Sequence, residues 1–213
     1  MIVLIDNGHG VNTKGKHSPG DVPGMNGKFY EYAYAREIAQ EVVATLALHG
    51  VDARLVVPEL ADVPLGERAN RVNAVCDQVG TKNVCLVSIH VNAAGSDGKW
   101  HSATGWEAWT SVGQTQGDKL ADCLYSEASR VLTAILPGVP VNRLIRTDMS
   151  DGDPDKEAQF TILKRSKCAA VLTENFFQDT LEDCKWLISR QGRQAIVDIH
   201  VSAILKYIAK YGR

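Results

Sequence analysis

The sequence predicts an α/β protein, a largely parallel sheet with helices on both faces in three layers. Two observations carry that expectation. Short apolar runs rich in β-branched residues alternate along the chain with longer segments of helical periodicity. The helical segments are also long enough to serve as crossovers between neighbouring parallel strands, which makes the connections right-handed.

The elements follow in order. Ile2-Val-Leu-Ile-Asp6 reads as a buried strand, and a polar loop rich in Gly, Asn, Lys and Pro follows at 10–28. From Phe29 to His49 a helical pattern puts Ala35, Ile38, Ala39, Val42, Val43 and Leu46 on one face, with Gly50 as C-cap. The next strand is 51–57, closed by Pro58, and Leu65 to Val79 is a helix stopped by Gly80. Strand 83–90 is succeeded by a strand at Gly105–Thr110 and an amphipathic helix from Gln114 to Leu136, with Leu120, Leu124, Ala128 and Leu132 inward. Region 138–160 is loop-rich. Its grouped Asp148, Asp151, Asp153 and Asp155 lack the spacing and distal Glu of an EF-hand, so they read as a solvated loop. Ala169–Asn175 is the last strand, and helices follow at Thr180–Ile188 and Gln194–Lys210. No repeat, low-complexity tract or interdomain linker interrupts the pattern, so residues 1–213 are expected to form one domain.

Bulk properties narrow the function. A formal charge of −2 gives no electrostatic case for nucleic acid or an anionic membrane surface. No apolar stretch approaches the roughly 18 residues of a membrane span. Five scattered cysteines, Cys76, Cys85, Cys123, Cys168 and Cys184, form no CxxC pair and read as packed or free thiols. Asp6 follows Met1-Ile-Val-Leu-Ile5 at once and no basic segment precedes it, so this is a core strand and not a secretion signal. Either cytoplasmic synthesis or removal of a leader is expected.

The chemistry is expected at strand ends. His9 lies between Gly8 and Gly10 just after the first strand, and His90 closes Val84-Cys-Leu-Val-Ser-Ile-His90. In an open α/β sheet such positions meet at the carboxyl edge, where ligands bind. A lone strand-end His is more often a hydrogen-bonded structural residue, but two at such turns suit a metal, for which neutral imidazole is a directional borderline ligand. Glu31, at the start of the first helix, is the candidate carboxylate ligand. Its bland alternative is simple complementarity to the helix dipole. Glu37 is the rival, more than a turn further on. Glu174 ends the apolar run Val171-Leu-Thr-Glu174, where an ionised carboxylate is costly unless paired. There it suits a general acid–base, or an ion-paired structural residue.

These residues carry a resemblance. Asp6-Asn-Gly-His-Gly10, Glu31, Ser88-Ile-His-Val-Asn92 and Val171-Leu-Thr-Glu-Asn-Phe-Phe177 stand in the order seen in zinc-dependent N-acetylmuramoyl-L-alanine amidases of amidase type 3, a family of cell-wall amidases and phage endolysins. Leu65-Gly-Glu-Arg68 resembles that family's Leu-x-x-Arg-x-x-x-Asn helix, with Asn70 or Asn73 filling the last place. The resemblance covers nearly the whole chain. It implies a twisted, mostly parallel sheet of about six strands. It also implies hydrolysis of the amide between N-acetylmuramic acid and L-alanine in peptidoglycan. His9, Glu31 and His90 then fall on the ligands of one Zn2+, Glu174 on the catalytic glutamate, and Arg68 on a structural position; no substrate-binding residue is assigned. Peptidoglycan or a muropeptide is the implied partner, without nucleic acid or membrane insertion, and the oligomeric state is left open.

Two departures touch substrate preference more than the metal site. Asn175-Phe176 stands in place of the Gly-Phe of the family's Glu-x-Gly-Phe, with Gln178-Asp179 where Ser-Asn is common, and the loop from Asn12 to Lys28 is Lys- and Pro-bearing. Trp106 and Trp109 are expected to be packed, and Trp100 is open to either packing or substrate stacking. A zinc carboxypeptidase or other metallopeptidase, and a non-catalytic wall-binding module, are the competing readings; Glu174 weighs against the second. An endolysin-like role, with synthesis in the cytoplasm and action on the wall, is expected alongside a secreted or periplasmic one.

Overall fold

Val3 and Ile5 point into one apolar layer and Leu4 into another, so the first strand is sandwiched. The computed structural model describes residues 1–212. Strand β1 (Ile2–Asn7) leads to β2 (His17–Asp21), β3 (Lys28–Tyr30), helix α1 (Glu31–Leu48), β4 (Asp52–Leu55) and α2 (Leu65–Val79). Next come β5 (Val84–Asn92), β6 (Trp106–Thr110), α3 (Gln116–Ile135), α4 (Val141–Leu144) and β7 (Lys156–Glu157). The chain closes with α5 (Thr161–Arg165), β8 (Ala169–Phe177), α6 (Leu181–Ile188) and α7 (Arg190–Tyr211).

Six strands form one sheet in the order β4-β1-β5-β8-β6-β7. The pairs β4–β1, β1–β5 and β5–β8 are parallel, whereas β6 runs antiparallel to β8 and takes β7 with it. The mostly parallel three-layer prediction is borne out. The larger apolar layer holds buried residues of α1, α3, α6 and α7; the smaller is built from α2, α5 and the residues before α2. The predicted inward faces are buried, with Val43 of α1 only partly so. All five cysteines are free, and four are buried. Among the described residues, no helix is long and apolar enough to cross a membrane.

Three expectations need correction. The loop predicted at 10–28 contains most of a two-stranded sheet, β2–β3. Polar bonds of Ser18 hold it, since that hydroxyl donates to Gly20 O and accepts from Phe29 N, and Val22 and Phe29 are its buried apolar residues. Two apolar anchors in so short a segment leave no period to detect. Residues 161–165, which the periodicity assigns to no element, form helix α5; five residues are too few for a periodic signal, yet Ile162 and Leu163 are buried in the smaller layer. Asp155 is not solvated: it is 2% exposed and accepts a 2.5 Å hydrogen bond from the Thr110 hydroxyl.

Candidate metal centre

Register decides which side chains meet. In the parallel sheet Asp6 lies opposite Ser88, and His90 opposite Glu174. Side chains alternate along a strand, so Leu86, Ser88 and His90 share the face covered by α2, as do Leu172 and Glu174. His9 follows β1 on a turn at φ 63, a left-handed conformation that non-glycine residues seldom take. The glycines beside it are dictated by space. A Cβ on Gly8 would lie 2.5 Å from the His90 ring, and one on Gly10 would lie 2.0 Å from the Asp62 backbone nitrogen.

Glu31 opens α1 and is 1% exposed. Its Oε1 lies 3.0 Å from His90 Nδ1 and 3.4 Å from His9 Nε2, and it accepts a hydrogen bond from Val91 N at 3.1 Å. The donor atoms of His9, Glu31 and His90 all lie within 4.8 Å of one another, close enough that they could hold one cation between them. Burial alone would raise the Glu31 pKa, but hydrogen bonds and charge from His9 and His90 hold it far below the usual carboxylate range. Burial disfavours a charged His90, and Glu31 overrides it and raises the His90 pKa. Glu174 stands alone by contrast. Its Oε2 is buried without a hydrogen-bond partner, and burial is the main reason its pKa is pushed up to about 8, against the pull of His90.

His9, His90 and Glu174 line one cleft of about 420 Å³, together with Leu65, Phe160 and Ile162, and Glu31 lies buried against the two imidazoles. The rival Glu37 is not there; it pairs with Arg193 at the surface. Arg68 is buried and fully engaged. It donates to Asp6 Oδ1 at 2.7 Å, Asp62 Oδ1 at 2.8 Å and the carbonyls of Val63, Asn7 and His9. Asn73 of α2 donates to Arg165 O and accepts from Lys167 N, which ties α2 to the end of α5. Trp106 is wholly buried, Trp109 packs edge-on against Phe160 at 5.4 Å, and Trp100 is 38% exposed beside Gly20.

Sequence reasoning missed several supports. Asn175 Nδ2 donates to His90 O at 2.9 Å and fixes the strand end that carries the imidazole. Gln178 Nε2 sits 3.5 Å from Glu31 Oε2, and Gln178 N bonds Asn92 O. The carboxylate of Asp179 accepts from Ala94 N and Gly95 N, tying down the loop after β5. Their one signal was position, directly after Glu174 in sequence.

Residues 3–206 match the family described as N-acetylmuramoyl-L-alanine amidase. The chain belongs to that family. This amidase resembles a solved N-acetylmuramoyl-L-alanine amidase from Clostridium difficile 630 at 26% identity, with a TM-score of 0.72 and 99% and 98% of the two chains covered. It is similar to AmiC2 of Nostoc punctiforme at 25% identity, with a TM-score of 0.65 and 98% and 97% covered. The catalytic domain of the CD27L endolysin, which targets Clostridia difficile, shares the fold at 20% identity and a TM-score of 0.64, with 97% of each chain covered. No protein of curated function matches the sequence significantly. The amidase is a hydrolase of the peptidoglycan amide between N-acetylmuramic acid and L-alanine.

The structure also explains one departure from the family pattern. The departure lies one residue later than the Asn175-Phe176 pairing expected from sequence: aligned on Glu174, the Gly of Glu-x-Gly-Phe falls on Phe176 and its Phe on Phe177, and Phe176 holds φ 62, the region glycine favours. Its ring is 3% exposed and packs 4.8 Å from Trp186.

Proposed function

We propose that the amidase uses one zinc ion, held by His9, Glu31 and His90, with Glu174 as general base and then general acid. Two imidazoles and one carboxylate are the donor set of open catalytic zinc sites, and the buried unpartnered Oε2 of Glu174 beside them fits the same reading. When bound, the zinc supplies Lewis acidity, acidifying a water and polarising the scissile carbonyl.

The remaining work belongs to the chain. Glu31 and the two imidazoles fix the position of attack, with Asn175 and Arg68 holding the backbones of His90 and His9. Glu174 takes the proton of the attacking water and delivers it to the alanine nitrogen as the C–N bond breaks. Leu65, Phe160 and Ile162 give the cleft an apolar wall against which substrate can pack. Residues 1–213 form the catalytic domain in this reading, and peptidoglycan is met at the wall, as by endolysins and cell-wall amidases.

The convergence of the three donors within 4.8 Å carries the proposal. Glu174→Ala is expected to keep stoichiometric zinc by atomic absorption while turnover on purified muropeptides falls at least about 100-fold. His90→Ala is expected to lose zinc and activity together. Zinc loss in the first variant, or retention in the second, reverses the roles. Mass spectrometry of the products separates the metallopeptidase reading: cleavage inside the stem peptide, with the muramoyl link intact, overturns the amidase assignment.

A further inference from the structure

The cleft contains a cation held by one long ion pair and no side-chain hydrogen bond. Lys16 precedes β2, and its carbonyl accepts a hydrogen bond from Glu31 N at 3.1 Å, so its backbone is pinned to the first residue of α1. Its ammonium lies 3.8 Å from Glu31 Oε2, beyond hydrogen-bond reach, and its side chain is 39% exposed. It lines the cleft with His9, His90 and Glu174, and its charge acts on Glu174. The other cation there, Arg68, is committed to five acceptors. Among the described residues Lys16 is thus the cleft cation with its donors uncommitted.

The geometry assigns Lys16 as a catalytic residue that donates a hydrogen bond to the oxygen of the scissile amide carbonyl. This rests on the zinc-amidase reading above. The substrate amide must lie between the donor trio and Glu174, because Glu174 serves both the water and the leaving nitrogen. An ammonium beside Glu31 Oε2 that also acts on Glu174 borders that same volume. A dication bound by Glu31 offsets part of that carboxylate's charge, which weakens an ion pair already 3.8 Å long and leaves the ammonium's donors available to substrate. As the water oxygen bonds to the carbonyl carbon, the C=O π pair moves to oxygen, and Lys16 stabilises that charge while keeping its own proton. The water's proton goes to Glu174 and from there to the departing amine. Donors aimed at such an oxygen contribute about 100- to 1000-fold to turnover.

The test is steady-state kinetics and zinc affinity on the full chain, using Lys16→Met and Lys16→Arg. Lys16→Met is expected to lower kcat about 100-fold with KM little changed, while zinc affinity, read by competition with a chromophoric chelator, holds or rises because a neighbouring positive charge is gone. Lys16→Arg is expected to restore part of kcat. Weakened zinc binding in Lys16→Met means the residue merely positions Glu31, and a rise in KM at unchanged kcat means it binds a distant substrate group; either overturns the assignment. Unchanged kinetics does so too. Failure of the zinc-loaded wild type to release L-alanine amino termini sinks the underlying reading instead.

Discussion

At His9 the backbone takes a left-handed turn with no side-chain freedom on either flank, because Gly8 faces the His90 ring and Gly10 faces the backbone of Ala61 and Asp62. The imidazole is thereby aimed before any ion arrives. Gly8→Ala is expected to displace His90 and cut zinc occupancy, with an unchanged far-ultraviolet circular dichroism spectrum; full occupancy in that variant means the ring has room to yield. His9, Glu31, His90 and Glu174 were legible in the sequence because each sits at the end of an apolar run or the start of a periodic one. Asn175, Gln178 and Lys16 were not. Asn175 and Gln178 act through bonds across 85 and 147 residues, and Lys16 is carried beside Glu31 by the hairpin between them, none of which a local pattern encodes.

Elements hold these residues through buried polar joints. Arg68 of α2 clamps Asp6 at the end of β1, and both side chains are 2% exposed. Arg68→Met leaves the Asp6 charge unpaired and is expected to cost about 3–5 kcal/mol in urea unfolding. A loss under about 1 kcal/mol counts against the joint. At the end of β8, Phe176 sets two effects against each other. Phe176→Gly relieves the left-handed backbone by about 1–2 kcal/mol but forfeits a buried ring worth about 3–5 kcal/mol. The ring wins, so the variant is expected to be less stable even though glycine suits the turn. Strands and long helices were readable from periodicity at this scale. The β2–β3 hairpin and α5 were not, since Ser18 hydroxyl bonds and two buried residues, Ile162 and Leu163, do there what repeated apolar positions do elsewhere.

Across the whole molecule a polar chain links α7 to the site through the larger apolar layer. His200, fully buried, donates from Nδ1 to Ile196 O at 2.7 Å and accepts at Nε2 from the Thr173 hydroxyl at 2.9 Å. Thr173 Oγ1 accepts from Asn175 Nδ2 at 3.2 Å, and the same amide reaches His90 O. This pattern demands the neutral ring, and burial pushes the His200 pKa down from 6.5 to about 4. With the folded pKa below the unfolded one, the unfolded chain takes the proton first, so stability falls as pH drops from 6.5 towards 4. The loss from this group is about 3 kcal/mol. Urea midpoints across that window should fall more steeply for the wild type than for His200→Gln; parallel curves would exclude His200 as the cause.

The β2–β3 hairpin lies in sequence between two of the proposed ligands, His9 before it and Glu31 after. Loading the ion therefore ties a loop shut at both ends, as a clasp closes a bracelet, and opening that loop must then break coordination. Amide deuterium uptake across His17–Asp21 should slow on zinc addition, while uptake in α7, which lies outside the clasp, stays constant. Uniform slowing of both would mean the ion stiffens the molecule as a whole.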